Sequence, residues 1–504
     1  MTTTPGNPTP DQVVAAPTYL ADIRFFFRPE DVSHMAVKGI ELGTYDGVKR
    51  NALAILAQTS SPNPQMPPDQ AGQWSAERSQ TFKNWIVNGM PLGTATGGGP
   101  TGGGPAPTRL RKDVTTLTDA EFTLLKTAFS GLMARDPSAA DSYFVLAGQH
   151  GLPQSWCLHH EDRFNPWHRQ YLIEFEDALR SVPGCETVTL PYWDITTALP
   201  DRLQHPPLDQ YVLPADPGAT ATPQPVTGYF PYTTQRFSVA TITQNVKDFG
   251  VLDDITTSLT QSLWGAYNVN GYQDFSIQAH DGGHGSIGPT MGDQNVASFD
   301  PVFWFFHCNI DRLWLSWQTR AQATTLTGFR STLGTDTGWL TAPFNALPPF
   351  TTTADQTIET TVAYDRLDVP APAPGPAEPV MENLTGSTDA ASPFAFRSAD
   401  PVSVRVKGID RLNIPGSFFV TLLADGEPVA KRYFFQPKTP RKCPTCVKHG
   451  IINLDFRMPQ EQLQDRKLSV RIDVPGHPEE IGTAFPLAQA GNPTVNARLL
   501  VQDA

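Results

Sequence analysis

Positive charge is scarce in this sequence: 37 Lys and Arg stand against 50 Asp and Glu, a formal net charge of −13 over 504 residues. Without a basic stripe nothing neutralises phosphates, which argues against a nucleic-acid or anionic-membrane partner. No run of 18 apolar residues occurs, so no transmembrane helix is expected. The first twenty residues lack a basic n-region, an apolar h-region and a twin arginine, and the expectation is a cytoplasmic chain. Cysteine is also sparse: Cys157, Cys185, Cys308, Cys443 and Cys446 cannot all pair with one another. The chain is too long for a disulfide-stapled module and can bury a large core without one. Proline is plentiful instead, at 48 residues against a usual share of roughly 5%, which predicts long loops and linkers.

The text divides into five stretches. Residues 1–92 read as a helical extension behind a polar, Pro-rich start, with Phe82, Trp85 and Ile86 at helical spacing. Residues 93–107, GTATGGGPTGGGPAP, are a flexible linker by composition. Residues 108–367 form a central block that holds eight of the eleven His. Thr118 with Glu121 is a capping box opening a helix striped by Phe122, Leu125, Phe129 and Leu132. Further helices are expected over 165–181 and 300–319, the latter with Pro301 at its first position. Residues 368–395 contain VPAPAPGPAEP, a polyproline-type linker. From 396 to 504 the period changes from 3.6 to 2, with Asp425-Gly426 as a hairpin turn, which predicts a C-terminal β-sandwich.

The chemistry lies in two histidine clusters of the central block. The first is His150, then Cys157-Leu158-His159, then His168 in FNPWHRQYL. The second is His280 and His284 in HDGGHG, then His307 in DPVFWFFHCNIDRLW. His280 and His284 are i and i+4, one turn apart on one helix face. Imidazoles without carboxylates suit Zn, Cu, Fe or Ni. HDGGH lacks the glutamate of the HExxH zinc peptidases, which weakens that reading. Two three-imidazole sets suggest a pair of identical redox metals. Two Cu(I) ions, each with an open position, can take O2 between them and deliver two electrons.

The central block resembles the tyrosinase family of type-3 copper proteins, which spans tyrosinases, catechol oxidases and molluscan haemocyanins. The likeness is carried by HGLP at His150, FNPWHRQYL, LPYWD at 190–194, HDGGHG and DPVFWFFHCNIDRLW, over about 250 residues. It implies that His150, His159 and His168 hold one copper, and His280, His284 and His307 the other. It also implies a four-helix bundle around the pair, O2 as co-substrate and a small phenolic substrate. The family's nine-residue spacing to the WHR histidine selects His159 over His160, which is expected to face outward. In fungal tyrosinases and molluscan haemocyanins the Cys-x-His pattern forms a thioether, which implies a bond from Cys157 to a ring carbon of His159.

Several neighbours follow. Asp281 stands where tyrosinases often carry Asn, and is the candidate for orienting a water that deprotonates the phenol. The glutamate that many relatives place just before the first histidine of this cluster is missing. Ser276, Ile277, Gln278 and Ala279 stand there, with Asp274 the nearest acid. Phe306 replaces the first member of a common His-His pair. Asp311, i+4 from His307, is either an orienter of that ring or an acid paired with an arginine. Arg169 and Asp194 are expected in buried ion pairs. In the fungal precursors a C-terminal β-domain covers the copper site with one aromatic, and a CxxC helps to load copper. That likeness makes Tyr433, Phe434 or Phe435 the candidate lid, with Phe434 first, and assigns Cys443 and Cys446 to copper delivery.

The resulting expectation is an α+β multi-domain copper phenol oxidase that ortho-hydroxylates monophenols and oxidises catechols to ortho-quinones. The alternatives are a catechol or ortho-aminophenol oxidase without hydroxylase activity, a haemocyanin-like O2 carrier and, last, a zinc hydrolase.

Overall fold

The computed structural model describes residues 13–91 in part, then 109–152, 157–215, 231–265, 271–334, 337–344, 352–368, 380–384, 402–463, 465–475 and 483–501. The Gly/Pro linker at 93–107 and most of the Pro-rich linker at 368–395 lie outside the described residues. Val380–Leu384, expected as linker, instead form a strand of the C-terminal region, because they pair antiparallel with 497–501. The chain forms two compact units, Met1–Pro107 and Thr108–Ala504.

In the first unit, helices α1 (Tyr45–Thr59) and α2 (Ala76–Val87) carry an aromatic core. Ser75 caps α2 by accepting the Arg78 N–H. Trp85 and Phe82 pack with ring centres 5.5 Å apart, and Phe82 meets Trp74 edge-on at 5.2 Å. The indole N–H of Trp85 donates to the Pro91 carbonyl at 2.9 Å.

The second unit begins with strand β1 (Arg109–Arg111), which pairs in parallel with β2 (Val362–Tyr364). Helix α3 (Asp119–Met133) opens on Thr118 and Glu121, each side chain accepting the other's backbone N–H, and buries its stripe of Phe122, Leu125, Phe129 and Leu132. Helices α4 (Tyr143–Gly151), α5 (Phe164–Arg180), α6 (Val239–Asp248), α7 (Val251–Thr260), α8 (Tyr272–Ile287) and α9 (Val302–Arg320) follow. Pro301 sits one position before α9 with helical angles, and the Asp300 carboxylate accepts the Val302 N–H at 3.0 Å. Aspartate thus does the capping, while proline begins the turn. All sixteen residues of α8 are buried. Its close packing depends on missing Cβ atoms. One on Gly283 would stand 2.5 Å from the Phe306 ring, and one on Gly285 would stand 2.5 Å from the Tyr433 ring.

The C-terminal region holds two four-stranded sheets. One has the order β3-β10-β4-β7, from Val380–Leu384, Thr494–Val501, Val402–Asp410 and Ile451–Met458. The other has the order β6-β5-β8-β9, from Glu427–Phe434, Phe418–Ala424, Leu468–Val474 and Thr483–Phe485. Both contribute to one apolar core, Val404 and Phe456 from the first and Val420 and Ile472 from the second. Asp425 and Gly426, both at positive φ, turn the β5–β6 hairpin as the two-residue spacing predicts. The sequence separates this region from the central block, but the fold joins them. Arg432 of β6 reaches α7, pairing with Asp254 at 3.1 Å and donating to the Phe249 carbonyl. Tyr433 donates to the Gly292 carbonyl at 2.6 Å.

Candidate metal centre

Four helices and one loop deliver six buried imidazoles to one place. His150 ends α4, His168 lies in the first turns of α5, His280 and His284 share a face of α8, and His307 comes from α9. His159 comes from the loop before α5. In the first set the ring centres are 4.9 Å apart for His150–His159, 5.1 Å for His159–His168 and 5.8 Å for His150–His168. In the second set the Nε2 atom of His307 lies 3.2 Å from that of His280 and 3.5 Å from that of His284. The sets face each other, with His159 5.1 Å from His280 and His168 4.9 Å from His307.

The outer nitrogens fix the rings. The Nδ1 atoms of His168, His284 and His307 lie 2.8, 2.7 and 3.0 Å from the carbonyls of Phe164, Met291 and Phe303. Carbonyls only accept, so each Nδ1 carries the proton and each Nε2 keeps its lone pair. The Nε2 atoms of His150, His159 and His168 have no hydrogen-bond partner among the described residues. Buried polar atoms are seldom left so, and a cation is the partner that a ring of lone pairs fits. Burial, reinforced by the neighbouring imidazoles, pushes the His280 and His307 rings well below the usual histidine range. Burial alone dominates at His168 and His284, which fall to about 3. Neutral imidazoles are the form that binds a metal. The apolar shell is aromatic, with Phe303 stacked on His307 at 3.8 Å and Phe306 edge-on to His284 at 5.2 Å.

Residues 140–225 and 206–320 match the family model described as the common central domain of tyrosinase. They belong to the tyrosinase family of type-3 copper proteins. A tyrosinase of Podospora anserina is 26% identical over 318 residues, 47% of this chain and 54% of that one. Haemocyanin type 2 unit e of Rapana venosa is 32% identical over 240 residues, 42% of this chain and 54% of that one. The chain thus spans about half the length of these two relatives. The solved structure of Burkholderia thailandensis tyrosinase shares the fold, with a TM-score of 0.52 at 20% identity over 72% of this chain and 94% of that one. Tyrosinase-family domains bind two copper ions, and the histidine clusters are compatible with that. The donor atoms of His280, His284 and His307 lie within 4.8 Å of one another. Those of the first set group across to the second, His150 and His168 with His307, and His159 and His168 with His280.

Cys157 places its Sγ 3.0 Å from Nδ1 of His159, and Gln294 donates to the same sulfur at 3.0 Å. Asp281 is buried, and its carboxylate is shared among three groups. Oδ1 lies 3.0 Å from Nδ1 of His280, and Oδ2 lies 2.8 Å from Nε2 of His160 and 3.1 Å from the Phe435 backbone N. Burial pushes the Asp281 carboxyl well above the usual carboxylate range, against the smaller opposing pulls of the Phe435 N–H and the Arg411 charge. His160 therefore does not face outward, because its ring is enclosed between the helical core and the β-region.

Phe434 is not the ring over the site. It belongs to the β-region core, stacked on Phe418 at 5.0 Å and on His160 at 4.3 Å. Phe435 occupies that place, stacked on His284 at 4.0 Å and edge-on to His159 at 5.3 Å and His280 at 5.7 Å. Strand alternation explains the correction. Tyr433 and Phe435 join the helical core, while Phe434 points to the opposite face.

Asp311 does not orient His307. It binds Arg169 at 2.6 Å, Arg111 at 3.3 Å and the Tyr364 hydroxyl at 2.6 Å. Asp194 pairs with Arg312 and Arg366. Asp274 faces Arg405 at 3.5 Å, and Gln278 accepts the Asp455 N–H. Cys443 and Cys446 form a disulfide, with the Arg411 guanidinium 3.1 Å from the Cys446 sulfur.

Proposed function

We propose that this chain is a copper phenol oxidase held latent by its own C-terminal β-region. It would convert monophenols and catechols to ortho-quinones at the expense of O2, with water as co-product. The observation that carries this reading is the Phe435 ring, which is stacked on His284 and edge-on to His159 and His280. A flat six-membered ring fits over the six imidazoles, and a phenol released from competition with Phe435 has the same shape.

His150, His159 and His168 would hold one copper ion and His280, His284 and His307 the other, and the pair would supply O2 binding and two-electron redox chemistry. The protein contributes the rest. Backbone carbonyls fix three of the rings through Nδ1, and Asp281 fixes His280. Phe303, Phe306 and Phe164 keep water from the imidazoles. With the β-region docked, the Phe435 N–H occupies Oδ2 of Asp281. Once Phe435 leaves, that oxygen is our candidate to accept the phenolic proton, directly or through a water. The Cys157 sulfur lies where a thioether to the His159 ring would lock that ligand. Copper delivery through Cys443 and Cys446 requires their reduction to thiols first.

A second reading, a catechol or ortho-aminophenol oxidase, is favoured by one arrangement. Gln278 and Asp274 are both engaged toward β4 and β7, so no carboxylate from that turn of α8 reaches the imidazoles. O2 uptake by trimmed, copper-loaded protein on tyrosine and on the matching catechol separates the readings. Uptake with both supports a tyrosinase, and uptake with catechol alone supports the second reading. Bound copper with reversible O2 binding and no turnover on either favours a carrier and contradicts the proposal.

A further inference from the structure

His160 is read from sequence as a bystander to the ligand His159, yet its surroundings are those of a working group. It lies within the described unit at φ +56°, a backbone region that residues other than glycine rarely adopt. Such conformations persist where surrounding contacts over-determine them. Its ring is fully buried and stacks on Phe434 at 4.3 Å with the planes 13° apart. Both of its nitrogens are engaged. Nδ1 lies 3.2 Å from the Arg411 guanidinium, and Nε2 lies 2.8 Å from Oδ2 of Asp281.

The donor inventory orders these contacts. A guanidinium can only donate, so Nδ1 of His160 accepts from Arg411. A neutral ring then carries its proton on Nε2 and donates to Asp281. The Phe435 N–H donates to the same oxygen, and the other oxygen faces Nδ1 of His280. With the His160 and Phe435 N–H groups both aimed at Oδ2, Asp281 is read as a carboxylate, which only accepts. It holds the His280 proton on Nδ1 and leaves Nε2 free toward His307, 3.2 Å away. Arg411 is itself braced by Gln436 at 3.0 Å and by the Cys446 sulfur at 3.1 Å.

We propose that His160 is a positioning residue of the metal centre, held in its Nε2–H tautomer by Arg411 of the β-region, so that the docked β-region sets the orientation of Asp281 and of the ligand His280. The inference rests on the reading that the six histidines hold copper. It differs from the covering role of Phe435, since it acts through hydrogen bonds rather than by blocking access. Groups that orient a ligand histidine typically change metal affinity by about 10–100-fold.

The test uses the full-length chain in two measurements. In metal-free protein labelled with 15N-histidine, the His160 ring, assigned by its loss in His160→Gln, is expected with its proton on Nε2 and a bare Nδ1. A proton on Nδ1 overturns the proposal whether or not any copper binds. In the second measurement Cu(I) is titrated against a chromophoric Cu(I) chelator. His160→Phe keeps a ring to stack on Phe434 but removes both hydrogen bonds, and should weaken one of two coppers by about 10–100-fold. His160→Gln restores an N–H near the Nε2 position, and should return that copper to within a few-fold of wild type. Wild-type affinity at both coppers in His160→Phe overturns the proposal. Wild-type protein that takes up no copper refutes the copper reading instead, and the tautomer measurement still stands on its own.

Discussion

The rings of Phe435 and His284 lie face to face, with centres 4.0 Å apart and planes 16° from parallel. Phe435 follows strand β6 of the C-terminal region, whereas His284 belongs to the central helix α8. The contact therefore joins the part of the chain that carries the imidazoles to the part that covers them.

Phe435→Ala removes the covering ring but keeps the backbone N–H on Asp281. The uncleaved, copper-loaded variant should oxidise catechol at least about tenfold faster than uncleaved wild type, the equivalent of roughly 1.4 kcal/mol. Phe434→Ala should behave differently, because that side chain fills the β-region core. It should cost about 3–5 kcal/mol of stability, read by chemical denaturation. Reversed outcomes for the two variants would reinstate Phe434 as the lid.

Gly285→Ala places a Cβ 2.5 Å from the Tyr433 ring, whose hydroxyl is tied to the Gly292 carbonyl, so the β-region is expected to shift off α8. Limited proteolysis should then cut the C-terminal region loose several-fold faster, with copper stoichiometry unchanged. Equal cleavage rates would show that Tyr433 yields without undocking.

The Cys157 sulfur and the His159 ring are close enough for a thioether to form once copper and O2 act as oxidant. One S–H and one ring C–H are lost together, so the intact mass after copper loading should fall by two hydrogens. Cys157→Ser should show no such fall. An unchanged wild-type mass excludes the bond.

Much of this centre is legible from the sequence. His280 and His284 are legible because i and i+4 share a helix face, and His159 and His168 because the family's motif spacing singles them out. The helix at Thr118 is legible because a capping box is a local signal. The choice among Tyr433, Phe434 and Phe435 is not, because all three are buried and both faces of β6 are covered. Alternation alone then gives no inward side. The role of His160 is hidden for another reason: its partner Arg411 lies 251 residues away. No window of sequence joins them. Asp311 reads as a neighbour of His307 on spacing alone, until β1 and β2 bring Arg111 and Tyr364 to it.

That cluster yields a stability prediction. Arg111, Arg169, Asp311 and Glu176 are all buried, so removing one charge strands the others. Asp311→Ala should destabilise the chain by about 3–5 kcal/mol, measured by urea unfolding. A loss below about 1 kcal/mol would mean that water reaches the two arginines.

Latency imposed by the C-terminal region is tested most directly by O2 consumption of the copper-loaded chain on a catechol, before and after that region is removed by light proteolysis. The intact chain should take up O2 slowly, and cleavage should raise the rate at least about tenfold, with two coppers retained throughout. Full activity in the intact chain would contradict the covering role of Phe435. No uptake in either form, with both coppers bound, would contradict the oxidase itself.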